Sequence, residues 1–251
     1  MAPAKRKTRL DQLLVERGLF GTRSKAQAAI MAGKVRVEGR PRPKAGLEVP
    51  EDVAVQVLPD ACPYVSRGGL KLQAALEAFR VDAQGRTCVD VGASTGGFTD
   101  CLLKRGAAFV HAVDVGHGQI DAGLSEDARV RVLEGMHAGK LSSSALEPRP
   151  TLAVVDVSFI SLTKILANVA ACLAKPFDLI ALIKPQFELE AKKTPKGIVR
   201  DAAHREEAVA RVRKAAEALG LSEHGLIESP ITGAKGNVEF LIHLADAPRA
   251  R

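Results

Sequence analysis

The chain has 251 residues, 46% of them hydrophobic and 26% charged, so it can bury one medium-sized core or a medium core and a small one. Aromatic residues make up only 4% of the sequence, which argues against a binding surface built mainly from stacked aromatic side chains. The longest apolar run, residues 165–174, is far shorter than the roughly 20 residues that span a bilayer, so a transmembrane protein is excluded.

The positive charge of the chain is concentrated near its N-terminus. Residues 1–44 contain twelve Lys and Arg residues against three acidic ones, a net charge of +9, whereas the remainder carries −2. This distribution is typical of a module that docks on a polyanion, attached to a nearly neutral catalytic body. The alternative, a solubilising tail, fits residues 5–7 alone. No apolar segment follows the basic residues, so we expect no signal peptide and a cytoplasmic protein.

Two short helices are predicted first along the chain. Leu10 opens a run of leucines at helical spacing, with Thr8 as the expected N-cap and Gly18 as the stop. The second helix is expected to begin at a cap on Ser24 and to end at Gly33. Each helix is short, so the two must pack on each other or on neighbouring strands.

Residues 34–37 and 53–57 alternate like short strands, with a turn expected at residues 38–39. Helices and strands together predict a small α+β unit over residues 1–60. The segment RLDQLLVERGLFGTRSKAQAAIMAGKVRVEGRPRPKAG, residues 9–46, resembles the RNA-binding domain named after the fourth small-subunit ribosomal protein. The resemblance implies that basic side chains of the second helix and the following turn contact RNA. With one arginine of the linker beyond, the RNA-binding candidates are Arg9, Arg23, Lys25, Lys34, Lys44 and Arg67.

The pattern changes after a linker predicted at residues 61–67. Five β-branched or apolar runs are typical of buried parallel strands: 87–91, 108–113, 130–133, 152–155 and 179–183. Helical patterns separate several of them: 70–79, 98–105, 162–173 and 202–219. This alternation predicts a doubly wound, Rossmann-like α/β domain over residues 68–251, with ligands at the carboxyl ends of the strands. Residues 238–244 are expected to add an antiparallel edge strand.

The sharpest local motif is VDVGASTGGFTD, residues 89–100, where a strand enters a glycine-rich turn and then a helix. Asp114 ends the next strand, placed to accept hydrogen bonds from ribose hydroxyls, and Asp90 precedes the turn, placed for the ammonium of a methionine moiety. The cofactor-binding candidates are Asp90, Gly92, Ser94, Thr95, Gly96, Gly97, Phe98 and Asp114. A nicotinamide dinucleotide would use similar features, but the loop reads G-x-S-x-G-G and departs from G-x-G-x-x-G. A purely structural turn is the simplest alternative.

Four ionisable residues fall where such a fold would direct them toward one cleft: Lys71, Asp156, Lys184 and Glu239. Two of them follow predicted strands, one opens a late strand and one starts a helix. Each has an ordinary explanation by itself, as a turn, strand-end or solvated surface residue. Their common placement at strand ends predicts a catalytic site.

These four residues match the Lys-Asp-Lys-Glu set of the FtsJ-like ribose 2'-O-methyltransferases. The phrases VSRGGLKL, DVGASTGGFTD, DVSFISL, KPQFE, KGIVRD and GNVEF resemble the TlyA family over nearly the whole chain. The resemblance implies that S-adenosylmethionine serves to methylate the 2'-hydroxyl of cytidines in ribosomal RNA, in a family that also carries the label haemolysin. It implies that Lys184 is the base and Lys71 the nearby cation that favours its neutral form, with Asp156 and Glu239 as orienting carboxylates. No metal is needed, and alignment of the reacting atoms should provide much of the rate.

One region departs from the family pattern. Where members typically have a Thr-Asn-x-Arg element after the third strand, this chain has Gly135, Met136, His137, Ala138 and Gly139. The missing Asn and Arg concern the adenosine or the RNA and leave the four ionisable residues intact.

Two other functions are compatible with parts of the sequence. A non-catalytic RNA-binding factor of ribosome assembly would share the basic module, but it does not need the four ionisable residues beside an intact glycine loop. A membrane-active haemolysin would need an amphipathic or apolar insertion segment, and the basic N-terminal helices lack large aromatic residues. The cysteines are scattered without metal-binding spacing, which disfavours zinc and indicates reduced thiols: Cys62, Cys88, Cys101 and Cys172. We expect ribosomal RNA or ribosomal subunits as partners, no membrane, and a chain compatible with a monomer.

Overall fold

The computed structural model describes residues 7–31, 33–38, 43–58 and 62–246, without the side chain of residue 28. The chain divides into two compact units, Met1–Ala61 and Cys62–Arg251. The first two basic residues of the N-terminal segment, Lys5 and Arg6, residue 39 of the expected turn and residue 61 of the predicted linker lie outside the described residues.

The smaller unit contains two helices and four short strands: β1 (Lys7–Arg9), α1 (Leu10–Glu16), α2 (Arg23–Met31), β2 (Val35–Val37), β3 (Glu48–Pro50) and β4 (Val55–Val57). The strands pair antiparallel, β1 with β3 and β2 with β4. Apolar residues of both helices and of the strands close one core, which includes Leu10, Leu14, Ile30, Val35 and Val49. The sequence predicted the helices, β2 and β4. It missed β1 and β3, because β1 (KTR) has no apolar residue and β3 (EVP) has a single valine beside a proline, so neither shows the alternation of β2 and β4.

The helices of the smaller unit begin differently from the prediction. Thr8 lies in β1, and α1 starts two residues later without a side-chain cap. Ser24 lies inside α2, and the hydroxyl of Thr22 accepts the Lys25 N–H at 3.2 Å. Thr22 therefore supplies the capping oxygen that was assigned to Ser24.

Seven strands form the sheet of the larger unit: β5 (Thr87–Val91), β6 (Phe109–Val113), β7 (Val130–Leu133), β8 (Leu152–Val155), β9 (Asp178–Ile183), β10 (Ser222–Glu228) and β11 (Phe240–Ala245). Their order is β10-β11-β9-β8-β5-β6-β7. All neighbours pair in parallel except β11, which is antiparallel to β9 and β10. The five predicted parallel strands are confirmed, with ends that agree within one residue.

The strand predicted at the edge of the sheet is an interior strand. β11 is covered by β10, which the sequence did not predict because polar residues and Gly225 interrupt its apolar pattern. A Cβ at Gly225 would collide with the ring of Phe79. The close packing of Phe79 therefore requires glycine at this position, and the glycine weakens the sequence pattern from which a strand would be predicted.

Helices lie on both faces of the sheet: α3 (Gly68–Phe79), α4 (Gly97–Lys104), α5 (Ala122–Ser125), α6 (Leu166–Ala171), α7 (Pro185–Glu188) and α8 (Ala202–Ala218). Val89 and Val91 of β5 face the core shared with α6 and α8, whereas Cys88 faces the core shared with α3 and α4. The predicted doubly wound α/β fold is confirmed. The helix predicted over 162–173 is instead a 3-10 turn, Leu162–Lys164, followed by α6. No helix in the described part of the chain has the length and apolarity to cross a membrane.

Candidate active site

The glycine-rich loop between β5 and α4 is held against the ends of β6 and β8. The N–H groups of Gly92 and Ala93 both donate to the Val113 carbonyl, at 2.8 and 3.1 Å. Gly92 has a φ of 90°, and a Cβ at this position would overlap the carbonyl oxygen of Asp156. Glycine is therefore what allows the loop, β6 and β8 to meet.

Asp114, which follows β6, fixes the other side of the loop. One of its carboxylate oxygens accepts the N–H of Ser94 at 2.7 Å, and the other accepts the N–H of Gly116 at 2.7 Å. Each carboxylate oxygen has about two acceptor positions. The predicted contact with ribose hydroxyls therefore still has acceptor positions to use.

A cavity of about 360 Å³ lies at the carboxyl edge of the sheet, and we call it the polar cavity. The predicted residues that line it are Arg67, Lys71, Gly92, Ser94, Thr95, Gly97, Phe98, Asp156 and Lys184. Residues 231–234 form another wall, and a Cβ at Gly233 would overlap the carboxylate of Glu239. The structure thus brings the four predicted ionisable residues together, three in the lining and Glu239 directly behind it.

These four residues form two lysine–carboxylate pairs. Lys71 Nζ lies 2.6 Å from Glu239 Oε2, and Lys184 Nζ lies 2.6 Å from Asp156 Oδ1. Lys184 also donates to Ser158 Oγ at 2.9 Å. The close approach of Lys184 to Asp156 lacks hydrogen-bond geometry, and Asp156 Oδ1 is a buried oxygen without a hydrogen-bond donor among the described residues. The second pair is therefore an ion pair by distance whose hydrogen-bond geometry is incomplete.

A second cavity of about 560 Å³ adjoins the polar cavity, and we call it the apolar cavity. Gly92, Ser94, Asp156 and Ser158 line both, so the two are continuous. Its walls are largely apolar and include Val91, Val113, Val115, Met136, Ala138, Val157, Phe159 and Ile160. Asp114 is a carboxylate in this lining. A ligand with an apolar ring and a hydroxylated sugar would match such a wall.

The segment that departs from the family pattern forms part of the apolar cavity. Met136 donates its N–H to the Asp114 carbonyl at 2.9 Å, and the Nδ1 atom of His137 accepts the N–H of Gly139 at 3.1 Å. In place of the family's Thr-Asn-x-Arg element, this segment therefore contributes a thioether and an imidazole whose Nδ1 is already bonded.

Two predicted cofactor residues lie outside both linings. Gly96 packs against Leu124 at the start of α4. Asp90 is fully buried in β5, where one carboxylate oxygen accepts the Thr99 hydroxyl at 2.7 Å and the other has no partner among the described residues. Burial raises the pKa of Asp90 to about 7, and the negative charges of Asp156 and Asp114 add to the effect. Asp90 therefore lies beneath the glycine loop, outside the linings of both cavities, and its contact with the cofactor stays a prediction.

Sequence reasoning missed Glu188, which ties together the segments that carry the second pair. Its carboxylate accepts the N–H of Leu162 at 2.8 Å and the hydroxyl of Ser161 at 2.5 Å. Glu188 ends α7, which follows Lys184, while Ser161 lies in the loop that follows Asp156. Burial raises the pKa of Glu188. Glu188 is the last residue of the phrase KPQFE, which resembles a family motif but does not by itself indicate a role for this carboxylate.

Two predicted RNA-binding arginines are tied to a buried carboxylate of the smaller unit. Arg9 and Arg23 donate to Asp11 at 3.0 to 3.1 Å, and Gln27 donates to it at 2.6 Å. The hydrogen bonds from Arg9 hold the pKa of Asp11 well below its usual range. The arginine side chains remain 44% and 52% exposed, so their other N–H groups can still reach a phosphate. The remaining predicted residues of this unit are exposed or half-buried: Lys25, Lys34 and Lys44.

No group of three or more His, Cys, Asp or Glu side chains within residues 7–31, 33–38, 43–58 and 62–246 is arranged to hold a metal ion.

Known proteins resemble nearly the whole chain. The profile of the FtsJ-like methyltransferase family matches residues 64–246, and that of the S4 domain matches residues 8–55. The 16S/23S rRNA (cytidine-2'-O)-methyltransferase TlyA of Mycobacterium tuberculosis is 44% identical over 241 residues, which cover 95% of this chain and 90% of that protein.

Two solved structures bear on the fold. A protein described as a "putative hemolysin" of Streptococcus thermophilus is 40% identical, with a TM-score of 0.76 over 98% of this chain and 91% of that one. An S-adenosylmethionine-dependent methyltransferase of Mesorhizobium loti is 14% identical, with a TM-score of 0.52 over 68% of this chain and 96% of that one, and this likeness shows the fold alone.

Proposed function

The chain belongs to the FtsJ-like methyltransferase family and, within it, to the TlyA group, and from this membership we propose that it methylates the ribose 2'-hydroxyl of cytidine in ribosomal RNA. One observation carries the proposal. Lys71, Asp156, Lys184 and Glu239 come from four separate parts of the chain and meet as two ion pairs at one cavity beside the glycine loop. Such an enzyme would work in the cytoplasm, where ribosomal RNA is assembled.

The two continuous cavities fit S-adenosylmethionine. The apolar cavity matches a nucleoside, with Asp114 as the acceptor for ribose hydroxyls, and the glycine loop with Ser94 and Thr95 would hold the amino-acid part. Asp156 lines both cavities, so its negative charge would face a cationic ligand there as well as Lys184. When bound, S-adenosylmethionine supplies an electrophilic methyl group on a sulfonium.

The residues of the chain then have to position the ribose and accept one proton. Lys71, fixed by the buried carboxylate of Glu239, would hold the ribose in line with the methyl carbon. Lys184, as the neutral amine, would take the proton from the 2'-hydroxyl while the ribose oxygen forms its new bond to carbon. The resulting ammonium would lie 2.6 Å from Asp156 Oδ1 and within hydrogen-bond distance of Ser158. The carboxylate is thus already placed for the charge that the reaction creates.

RNA would reach this site through the charges of both units. Members of the S4 family bind RNA, and the exposed basic residues of the smaller unit would contact phosphates, which position an RNA without reading its sequence. Arg67 lines the polar cavity itself and would contact RNA close to the reacting ribose.

The experiment is transfer of a labelled methyl group to separated small subunits, large subunits and naked ribosomal RNA, followed by alkaline hydrolysis. A 2'-O-methyl group removes the hydroxyl that attacks the neighbouring phosphate, so the label should remain in alkali-resistant dinucleotides that contain cytidine. Label in mononucleotides would place the methyl group on a base and contradict the proposal. Absence of label together with absence of cofactor binding by calorimetry would favour a non-catalytic RNA-binding factor.

A further inference from the structure

Two short turns of the larger unit are built alike. Pro195–Gly197 and Ala234–Gly236 each place a lysine in the left-handed region, Lys196 with φ 55° and Lys235 with φ 57°. This conformation is unfavourable for a residue with a Cβ. The surroundings therefore hold each lysine in a backbone conformation that it does not favour. Residues held in this way often lie at ligand-binding sites.

Asn237 joins the two turns. Its side-chain amide donates to the Gly197 carbonyl at 2.8 Å and to the Ala234 carbonyl at 3.1 Å, and its oxygen accepts the Val199 N–H at 3.0 Å. Asn237 is only 2% exposed. A buried amide with three partners fixes both turns in one arrangement, because breaking any of these bonds would leave a buried polar group unpaired.

The lysines themselves complete the link. Lys235 Nζ donates to the backbone carbonyl of Lys196 at 2.8 Å. An ammonium has three hydrogens, so two remain for a ligand. The side chain of Lys196 is exposed, and its ammonium makes no hydrogen bond or ion pair within the described part of the chain. We refer to Lys196 and Lys235 as the lysine pair.

Neighbouring lysines differ from the lysine pair in their charge balance. Lys192 lies 2.8 Å from Glu190, and Lys193 lies 2.5 Å from Glu207. These ammonium groups are partly neutralised by carboxylates, whereas Lys235 contacts only a carbonyl oxygen among its described partners. The lysine pair therefore presents the positive charge of this segment to solvent.

The lysine pair stands at the rim of the polar cavity. Ile231, Thr232, Gly233 and Ala234 line that cavity, and Lys235 follows directly. The 2'-hydroxyl of an RNA ribose is next to the carbon that bears the 3'-phosphate. A ribose whose 2'-hydroxyl enters the polar cavity therefore brings a phosphate to its rim.

We propose that the lysine pair, held by Asn237, binds the RNA backbone phosphate beside the ribose that is methylated. The proposal rests on the proposed function, since the ribose brings the phosphate to this rim. RNA fits better than an acidic protein surface because the adjoining cavity already holds the four residues suited to a ribose. Arg67, on another wall of the same cavity, would contact the strand beyond it.

The test compares the full-length chain with Lys196→Ala, Lys235→Ala and the double variant. Both side chains are exposed, so folding should be unaffected. The matched control is Lys214→Ala, which removes another exposed lysine. Lys214 lies in the C-terminal half of α8, which leads toward the end of the sheet opposite the polar cavity. Affinity for naked bacterial 16S and 23S RNA is measured over a salt series without cofactor, and cofactor affinity is measured separately by calorimetry.

We expect each substitution to raise the Kd for RNA by up to about fivefold, the range of an exposed charge contact. Each should also reduce the slope of log Kd against log salt by about one phosphate contact, and the double variant by about two. Lys235→Arg should retain the slope of the wild type. Cofactor affinity should be unchanged in all variants.

A double variant with the RNA affinity and salt slope of Lys214→Ala would overturn the proposal. Weaker cofactor binding in the double variant, with RNA affinity unchanged, would overturn it as well, since the turns would then serve the cofactor. The binding measurement does not depend on methyl transfer. If the wild type transfers no methyl group but the lysine variants lose RNA affinity and slope, the proposed function fails while the phosphate contact stands.

Discussion

The two ends of the strands in the seven-stranded sheet each carry a cluster of charged side chains, and the clusters differ in what surrounds them: one joins buried strand ends and the other lines a cavity. At the amino edge, Asp178 opens β9 and accepts hydrogen bonds from Arg86 and His243, both at 2.7 Å. Arg86 also donates to the hydroxyl and carbonyl of Thr151, which precedes β8. His243 is 1% exposed and stacks with Phe79. This cluster joins the starts of neighbouring strands.

At the carboxyl edge the same kinds of residue line a cavity. Lys184 approaches Asp156 without hydrogen-bond geometry, and an oxygen of Asp156 is left without a donor among the described residues. A cavity lined by charged side chains is unfavourable for stability but necessary for binding and chemistry. The comparison teaches that a position at a cavity, rather than residue type, separates the functional cluster from the structural one.

Lys184→Ala should produce the largest effect on activity with little effect on folding. A general base contributes about 100-fold to 10,000-fold to the rate, and kcat should fall by that amount. Cofactor affinity, measured by calorimetry, should be nearly unchanged because the glycine loop and Asp114 are intact. Lys214→Ala on α8 serves as the matched control and should turn over like the wild type. Normal turnover of Lys184→Ala would refute its role as the base.

Asp178→Ala tests the other edge, where stability should change and chemistry should not. The substitution leaves the buried His243 and the partly buried Arg86 without their carboxylate, which should destabilise the larger unit by about 3 kcal/mol. Urea unfolding followed by circular dichroism measures this, since the chain has no Trp. The kcat of the folded fraction should equal that of the wild type.

The control for Asp178→Ala breaks an exposed ion pair of the same unit. Asp127 lies 2.7 Å from Arg129, with side chains 24% and 49% exposed. Asp127→Ala should cost less than about 1 kcal/mol. Equal losses in the two variants, or a selective loss of kcat in Asp178→Ala, would contradict the distinction between the edges.

The sequence predicted the sheet well because buried parallel strands are continuous apolar runs that end where polar loops begin. The four ionisable residues were predicted from motif resemblance, but their pairing was not. Lys71 and Glu239 are 168 positions apart, and only the folded sheet decides which carboxylate meets which lysine. Arg9 and Arg23 were counted as free charges, because the sequence does not show that Asp11 is buried between them. Such contacts depend on packing that no local pattern records.

Asp90 differs from the carboxylates of both clusters, because it is a buried carboxyl with no cationic partner among the described residues. Burial raises its pKa to about 7, above the value of 3.8 for an unfolded chain. Between these values the folded protein keeps a proton that the unfolded chain has lost, so the free energy of unfolding falls as the pH rises from about 4 to 7. One such group contributes at most about 1.4 kcal/mol per pH unit, and the contribution is constant above pH 7.

Asp90→Asn should remove this dependence, because asparagine stays neutral and can still accept the Thr99 hydroxyl. The free energy of unfolding of the variant, relative to that of the wild type, should rise steadily between pH 5 and 7. The difference should level off by pH 8. Urea unfolding of both proteins at these pH values measures the change, and the subtraction cancels all other titrating groups. A parallel dependence in both proteins would mean that Asp90 is ionised in the fold. It would then be a second buried negative charge near Asp156, and not a neutral structural carboxyl of the sheet.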